Sequence, residues 1–256
     1  MKKWFLAATL AMTALSGAAQ AKDWKTIRFA TEGAYPPFNH TNPDGSVGGF
    51  DVDIANAVCA EMKAKCTINA QDWDGIIPAL LARKYDAIIA GMSITPERQQ
   101  KVAFSNTYAV LPNKFITKKG ANIQFTKEGL KGVKIGVQRS TTHDTYLEDN
   151  YKGIVEVVRY GSYDEAYLDL EGGRIDAVFG EAAALQTGML DKKEGFEFEG
   201  PSLSDAKWFG EGLGIAARKQ DKDLIEQVNK AIEAIHANGT YAKIAAKYFD
   251  YDVYGK

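Results

Sequence analysis

Cysteine and histidine are scarce: two and three of 256 residues. That excludes a disulfide-built scaffold and gives no Cys/His cluster to hold zinc. Nor is there an excess of positive charge. The 31 basic and 33 acidic residues are interspersed along the chain, with no basic stripe of the kind that tracks a nucleic-acid backbone. After residue 21 no apolar run approaches the roughly 20 residues that span a bilayer. No glycine-rich phosphate loop, metal-ligand cluster or Ser-His-Asp arrangement stands out, so the sequence makes no case for a metal or a cofactor.

What is present begins with an export signal. Lys2-Lys3 precede an apolar core from Trp4 to Leu15, and the small-residue sequence Ala19-Gln20-Ala21 marks a cleavage site. The reading is a signal peptide over 1–21, cut near Ala21, and a soluble product in the periplasm. Loss of Lys2 and Lys3 leaves 29 basic against 33 acidic residues, a formal charge of −4. In that oxidising space Cys59 and Cys66, seven positions apart, are expected to bond to each other. A metal or redox pair is the alternative, disfavoured by the spacing and the lack of a nearby third ligand.

The mature chain alternates strands and helices, which implies α/β architecture. A strand near Thr26–Ala30 leads to Tyr35-Pro-Pro-Phe38, where two prolines force an open loop, and a hairpin-like turn follows at Asn42–Gly45. Helices are predicted over Val52–Lys65, from Trp73, over Tyr163–Gly172, around Leu224–Ile235 and over Thr240–Phe249; strands over Cys66–Ala70, Ala87–Ala90, Gly132–Gln138 and Gly212–Ala217. Arg83-Lys-Tyr-Asp-Ala-Ile-Ile-Ala90 and Arg174-Ile-Asp-Ala-Val-Phe-Gly-Glu181 share an order of elements. This is either one α/β unit used twice or the general grammar of such folds.

The segment Asp86-Ala-Ile-Ile-Ala-Gly-Met-Ser-Ile-Thr-Pro-Glu-Arg98 carries the clearest chemistry. An uncharged strand stops at Gly91 and releases Ser93, Thr95 and Arg98, and Thr95-Pro96 reads as a helix cap with proline in the first turn. Hydroxyls, backbone N–H groups and a guanidinium converge there, an arrangement suited to carboxylate or phosphate. A surface arginine beside an ordinary turn is the bland alternative.

The motifs Tyr35-Pro-Pro-Phe38, Gly49-Phe-Asp-Val-Asp53, Trp73-Asp-Gly-Ile-Ile-Pro78, Met92-Ser-Ile-Thr-Pro-Glu-Arg98, Gly173-Arg-Ile-Asp-Ala177 and Phe209-Gly-Glu-Gly212 extend over nearly the whole mature chain. Together they resemble the periplasmic polar amino-acid-binding proteins of ABC importers, solute-binding protein family 3. Within that family the chain is most similar to the lysine/arginine/ornithine- and histidine-binding receptors. The resemblance implies a two-lobed type II periplasmic binding protein fold, each lobe a mostly parallel sheet flanked by helices, joined by two crossover hinge strands. Lobe 1 would be 22–110 plus 213–256, and lobe 2 would be 111–212, with crossings near Val110–Asn113 and Lys207–Gly212.

It also implies a monomer that delivers an amino acid to a membrane permease. The α-carboxylate would sit on Arg98, Ser93 and the backbone at Thr142, and the α-ammonium on Glu181 and the Ser93 region. Tyr35 and Trp73 would sandwich the side chain, and Glu32 would meet its far end. The remaining candidates for ligand contact are Ala90, Gly91, Met92, Gln138, Thr141 and His143.

The chemistry is sensible on its own terms. A zwitterion needs one fixed cation and one fixed anion, and a second acid in an aromatic slot favours a cationic tail. Where the resembled receptors place two serines this chain has Ala90 and Gly91, and Glu181 stands where Asp is usual. With Glu32, Trp73 and Gln138, these departures partly resemble relatives that bind opines, so an opine or another polar amino acid is the alternative ligand. A periplasmic dehydratase or lyase on the same fold is the rival from another class, with Glu32, Glu181 and His143 as its acid–base candidates. Docking on a signalling partner is a third use.

Overall fold

The computed structural model describes residues 24–255; the signal peptide over 1–21 and its cleavage site lie outside them. Two five-stranded sheets organise the chain. In the first the order is Lys65–Ala70, Thr26–Thr31, Ala87–Ile88, Ala216–Arg218, Val102–Phe104. In the second it is Glu156–Tyr160, Lys134–Gln138, Ala177–Glu181, Asn113–Lys118, Phe196–Leu203. The two-lobed α/β fold is therefore as expected, and in each sheet four of the five strands run in one direction. In each, the first three strands pair in parallel and the fourth runs against both of its neighbours. The helical crossovers set the parallel part. The reversed strands, Asn113–Lys118 and Ala216–Arg218, are those by which the chain enters each sheet after a passage from the other.

Shared topology resolves the internal similarity. Ala87–Ile88 and Ala177–Glu181 are the third strands of their sheets, and the preceding aspartates make the same bonds. Asp86 accepts from Arg28 N (3.1 Å) and donates its own N–H to Arg28 O (2.8 Å); Asp176 does likewise with Lys134 N (2.8 Å) and Lys134 O (2.9 Å). One strand-edge device is used twice.

The chain passes to the second sheet between Phe104 and Asn113 and returns between Leu203 and Ala216. The two passages are tied together: Leu213 N donates to Ala109 O (2.8 Å), Tyr108 N to Leu213 O (2.9 Å), and Asn113 Nδ2 to Leu203 O (3.1 Å). The strand predicted over Gly212–Ala217 is Ala216–Arg218, preceded by isolated antiparallel bridges from Leu213 to Ser93 and Ala109.

Other predicted elements shift at their ends. The first helix is Phe50–Glu61, not Val52–Lys65. It starts against Gly49, where φ is 115° and any Cβ would lie 2.4 Å from Phe38 O, and it ends before Lys63 at φ 53°. Lys65–Ala70 is then a strand, so Cys59 and Cys66 sit on neighbouring elements, and they are disulfide-bonded with Cα atoms 6.2 Å apart. The last helix stops at Ala245, because Phe249 turns inward to pack 5.0 Å from Phe50. In the helix Lys222–Ala237, Leu224, Val228, Ile232 and Ile235 are buried as their spacing predicts. The Tyr35–Phe38 segment is a tight connection between antiparallel strands Ala34–Tyr35 and Asn39–Thr41, not an open loop.

Candidate functional site

Between the sheets lies a cavity of about 280 Å³, counting its part open to solvent. From the first sheet's side it is lined by Glu32, Tyr35, Trp73, Ala90, Gly91, Ser93 and Arg98, and from the second's by Gln138, Thr141, Thr142, His143, Tyr163 and Glu181. Twelve of the thirteen candidate ligand residues are thus brought together. The exception is Met92, whose side chain is fully buried in the core with Ile88, Ala90 and Ala216. Pro96–Gln99 is only four residues long, yet it is capped as predicted: Thr95 Oγ1 accepts from Arg98 N at 3.2 Å.

That cap aims Arg98 across the cleft. Its Nη1 donates to Ser93 O (3.0 Å), and its guanidinium lies 5.1 Å from the Trp73 ring. Burial lowers its pKa to about 10, so it stays a cation at neutral pH. Opposite stands the start of the ten-residue helix Thr142–Tyr151, capped by Thr141, which accepts from Asp144 N at 3.3 Å. A helix N-terminus and a guanidinium make a seat for a carboxylate.

Glu181 ends its strand facing this seat. Its carboxylate is bonded by Tyr35 Oη and lies 3.6 Å from His143 Nε2. Burial and, secondarily, the nearby Glu32 push Glu181 up to about 8. His143 does not balance it: burial first, then Arg98, lowers His143 to about 3, so the ring is neutral. Asn113 Nδ2 is engaged by Leu203 O, which leaves Asn113 Oδ1 to accept from His143 Nε2 at 2.7 Å. A proton on Nε2 fixes the tautomer.

Glu32 is buried further along the cavity and accepts from Gln138 Nε2 at 2.5 Å. Burial raises it to about 7, partly offset by that hydrogen bond. The cavity thus holds one cation, two carboxylates bonded only by neutral groups and an aromatic wall. Tyr163, absent from the sequence-based set, is part of that wall: its ring stacks on Tyr35 at 5.4 Å and its hydroxyl donates to Phe179 O at 2.9 Å. Its place just past the strand end at Tyr160 is the signal that could have identified it.

Several bonds close the cleft directly. Trp73 Nε1 donates to Ser140 O (3.3 Å), Arg139 pairs with Asp74, and Gln138 reaches Glu32. No group of three metal-ligating side chains occurs among the described residues.

Residues 27–251 match the family described as bacterial extracellular solute-binding proteins, family 3. An L-arginine-binding protein of Pseudomonas aeruginosa is 49% identical over 258 residues, covering 100% of this chain and 99% of the relative. A lysine/arginine/ornithine-binding periplasmic protein and a histidine-binding periplasmic protein of Escherichia coli are each 41% identical over 260 residues, covering 100% of both chains. Among solved structures, a Salmonella typhimurium periplasmic binding protein described for high arginine specificity superposes with a TM-score of 0.82. It is 39% identical over 88% of this chain and 99% of its own. An ancestral arginine-binding protein bound to arginine gives 0.81 at 36% identity, over 88% of this chain and 98% of its own. The chain belongs to family 3 of the bacterial extracellular solute-binding proteins.

Proposed function

We propose that this protein is a periplasmic receptor that captures a basic L-amino acid (arginine, lysine, ornithine or histidine) between its lobes and delivers it to the permease of an ABC importer. One observation carries the reading. A guanidinium seat at Arg98 faces Glu181 across the cleft, and a second buried acid, Glu32, stands further along an aromatic-walled cavity. A zwitterion with a cationic tail supplies the three complementary charges. The relatives, named for binding arginine, histidine and lysine/arginine/ornithine, support the same class of ligand.

In this reading the protein is a monomer without catalytic activity, exported by cleavage near Ala21. Lobe 1 is 22–110 plus 213–256 and lobe 2 is 111–212, a division supported by the membership of the two sheets. His143 is neutral and held by Asn113, which suits a site that positions charge more than one that shuttles protons.

The test is a calorimetric and thermal-shift screen of ligand-stripped protein against the common amino acids, opines and polyamines. A ligand at 100 times its dissociation constant stabilises the fold by about 2.7 kcal/mol. Arginine, lysine, ornithine or histidine should raise the melting point. A shift given only by an opine or a neutral amino acid would overturn the basic-ligand reading.

A further inference from the structure

Asp51 is wholly buried near the start of the helix Phe50–Glu61, behind the cavity wall, and no ion pair reaches it among the described residues. Three neutral donors hold its carboxylate: Gly91 N at 2.8 Å, Asn39 Nδ2 at 3.0 Å and Tyr108 Oη at 2.7 Å. Burial outweighs them and raises its pKa to about 6. A carboxylate kept there at such desolvation cost is explained by what its donors belong to.

Gly91 lines the cavity with φ +56°. In a planar trans peptide the N–H and C=O point in opposite directions. With Gly91 N–H held on the core side, the Ala90 carbonyl turns to the other side, where Ala90 also lines the cavity. Asn39 extends the control: its Oδ1 accepts from Gly33 N at 2.7 Å, so the turn that carries Glu32 is fixed by the same cluster. Tyr108, whose N–H bonds Leu213 in the passage between lobes, anchors the carboxylate from behind.

We propose that Asp51 is a positioning residue of the ligand site. By holding Gly91 N–H it presents the Ala90 carbonyl to the cavity as an acceptor for a ligand N–H, and through Asn39 it orients the Glu32 turn to receive the ligand's cationic end. The backbone thereby supplies the acceptor that Ala90 and Gly91, having no hydroxyl, cannot. This rests on the cavity being an amino-acid site.

The experiment compares wild type, Asp51→Ala and Asp51→Asn, by calorimetry with L-arginine, melting point and the ¹H–¹⁵N signal of Gly91. Gly91 N–H and Asn39 Nδ2 share one carboxylate oxygen, and Tyr108 Oη meets the other. Asp51→Ala removes both acceptors and should weaken arginine binding roughly 10- to 100-fold, the worth of a hydrogen bond to a charged group. Asp51→Asn can keep its Oδ1 on Gly91 N–H and Asn39 while its Nδ2 donates to Tyr108 Oη, a hydroxyl that also accepts. It should therefore bind arginine within a few-fold of wild type.

In wild type and Asp51→Asn the Gly91 amide should be downfield and slow to exchange, with or without ligand, and should lose both properties in Asp51→Ala. Affinity within twofold of wild type in Asp51→Ala, affinity as weak in Asp51→Asn as in Asp51→Ala while Gly91 stays protected, or a fast-exchanging wild-type Gly91 amide would each overturn the proposal. The Gly91 signal decides even if a variant fails to fold. Failure of wild type to bind any basic amino acid would instead sink the receptor reading, leaving the Gly91 result to stand by itself.

Discussion

Gln138 Nε2 donates to Glu32 Oε1 at 2.5 Å and to Gly161 O at 2.9 Å, so an amide from the second lobe holds the acid that the first lobe contributes to the cavity. The bond crosses the cleft and is buried. It orients Glu32 without neutralising it, leaving the charge to be met by a ligand.

Glu32→Gln tests that division of labour. The variant keeps the shape and loses the charge, so arginine and lysine should each bind about 10- to 100-fold more weakly, while a neutral-tailed amino acid such as glutamine should lose little. The quantity to measure is the ratio of arginine to glutamine affinity by calorimetry. An unchanged ratio would remove Glu32 from the recognition of the tail.

Arg98→Ala addresses the carboxylate seat. Truncating one partner of a desolvated charge pair costs about 2–5 kcal/mol, so binding of any α-amino acid should fall at least thirtyfold. Arg98 lines the cavity, not a hydrophobic core, and bonds mainly Ser93 O, so the fold should survive with a melting point close to wild type. Decarboxylated analogues such as agmatine, which lack the group that Arg98 holds, should show no further loss in the variant. Retained amino-acid affinity would assign the seat elsewhere.

The anion seat was legible in the sequence because capping is local: Thr95, Pro96 and Arg98 are neighbours, and their geometry follows from a few residues of chain. The repeated Asp-Ala start of the third strands was legible for the same reason. The reversed strands Asn113–Lys118 and Ala216–Arg218 were not, since they depend on where the chain enters after each passage between lobes. Met92 falls outside the cavity lining because proximity to Ser93 does not say which face of the segment meets the cavity; its side chain faces the core. Tyr163 and Asp51 escaped because their roles are made by partners far away in sequence, Tyr35 for one and Gly91 with Tyr108 for the other.

Reducing the Cys59–Cys66 bridge should lower stability modestly. It closes a loop with a sequence separation of seven, for which chain entropy gives about 2.5 kcal/mol. In a chain of this size that is a melting-point drop of about 5–10 °C. The bridge joins the helix Phe50–Glu61 to the strand Lys65–Ala70, away from the residues lining the cavity. Arginine affinity of the Cys59→Ala/Cys66→Ala protein, measured below its melting range, should match wild type. A large loss of affinity would mean that the bridge shapes the site.

Dependence on pH follows from the two acids. Glu32 at about 7 and Glu181 at about 8 in the closed protein both lie above the ordinary glutamate value of 4.5. Between 4.5 and 8 the closed, empty state therefore binds more protons than any state in which these groups are hydrated, and its stability falls as pH rises through that window. His143, neutral above about 3, does not compensate. The response costing least is to part the lobes, since opening rehydrates both carboxylates without unfolding either sheet.

Ligand-free protein should accordingly be more closed at pH 5 than at pH 9, read as a smaller radius of gyration by small-angle scattering. Arginine should keep it closed at both values by supplying the positive charge that protons supply in acid. The same protons compete with the ligand, so arginine affinity should weaken as pH falls from 7 to 5 and level off above about 8. In Glu32→Gln the pH dependence should shrink to the part carried by Glu181. A free protein equally open at pH 5 and pH 9, with affinity flat between them, would show that neither acid titrates in the closed cleft.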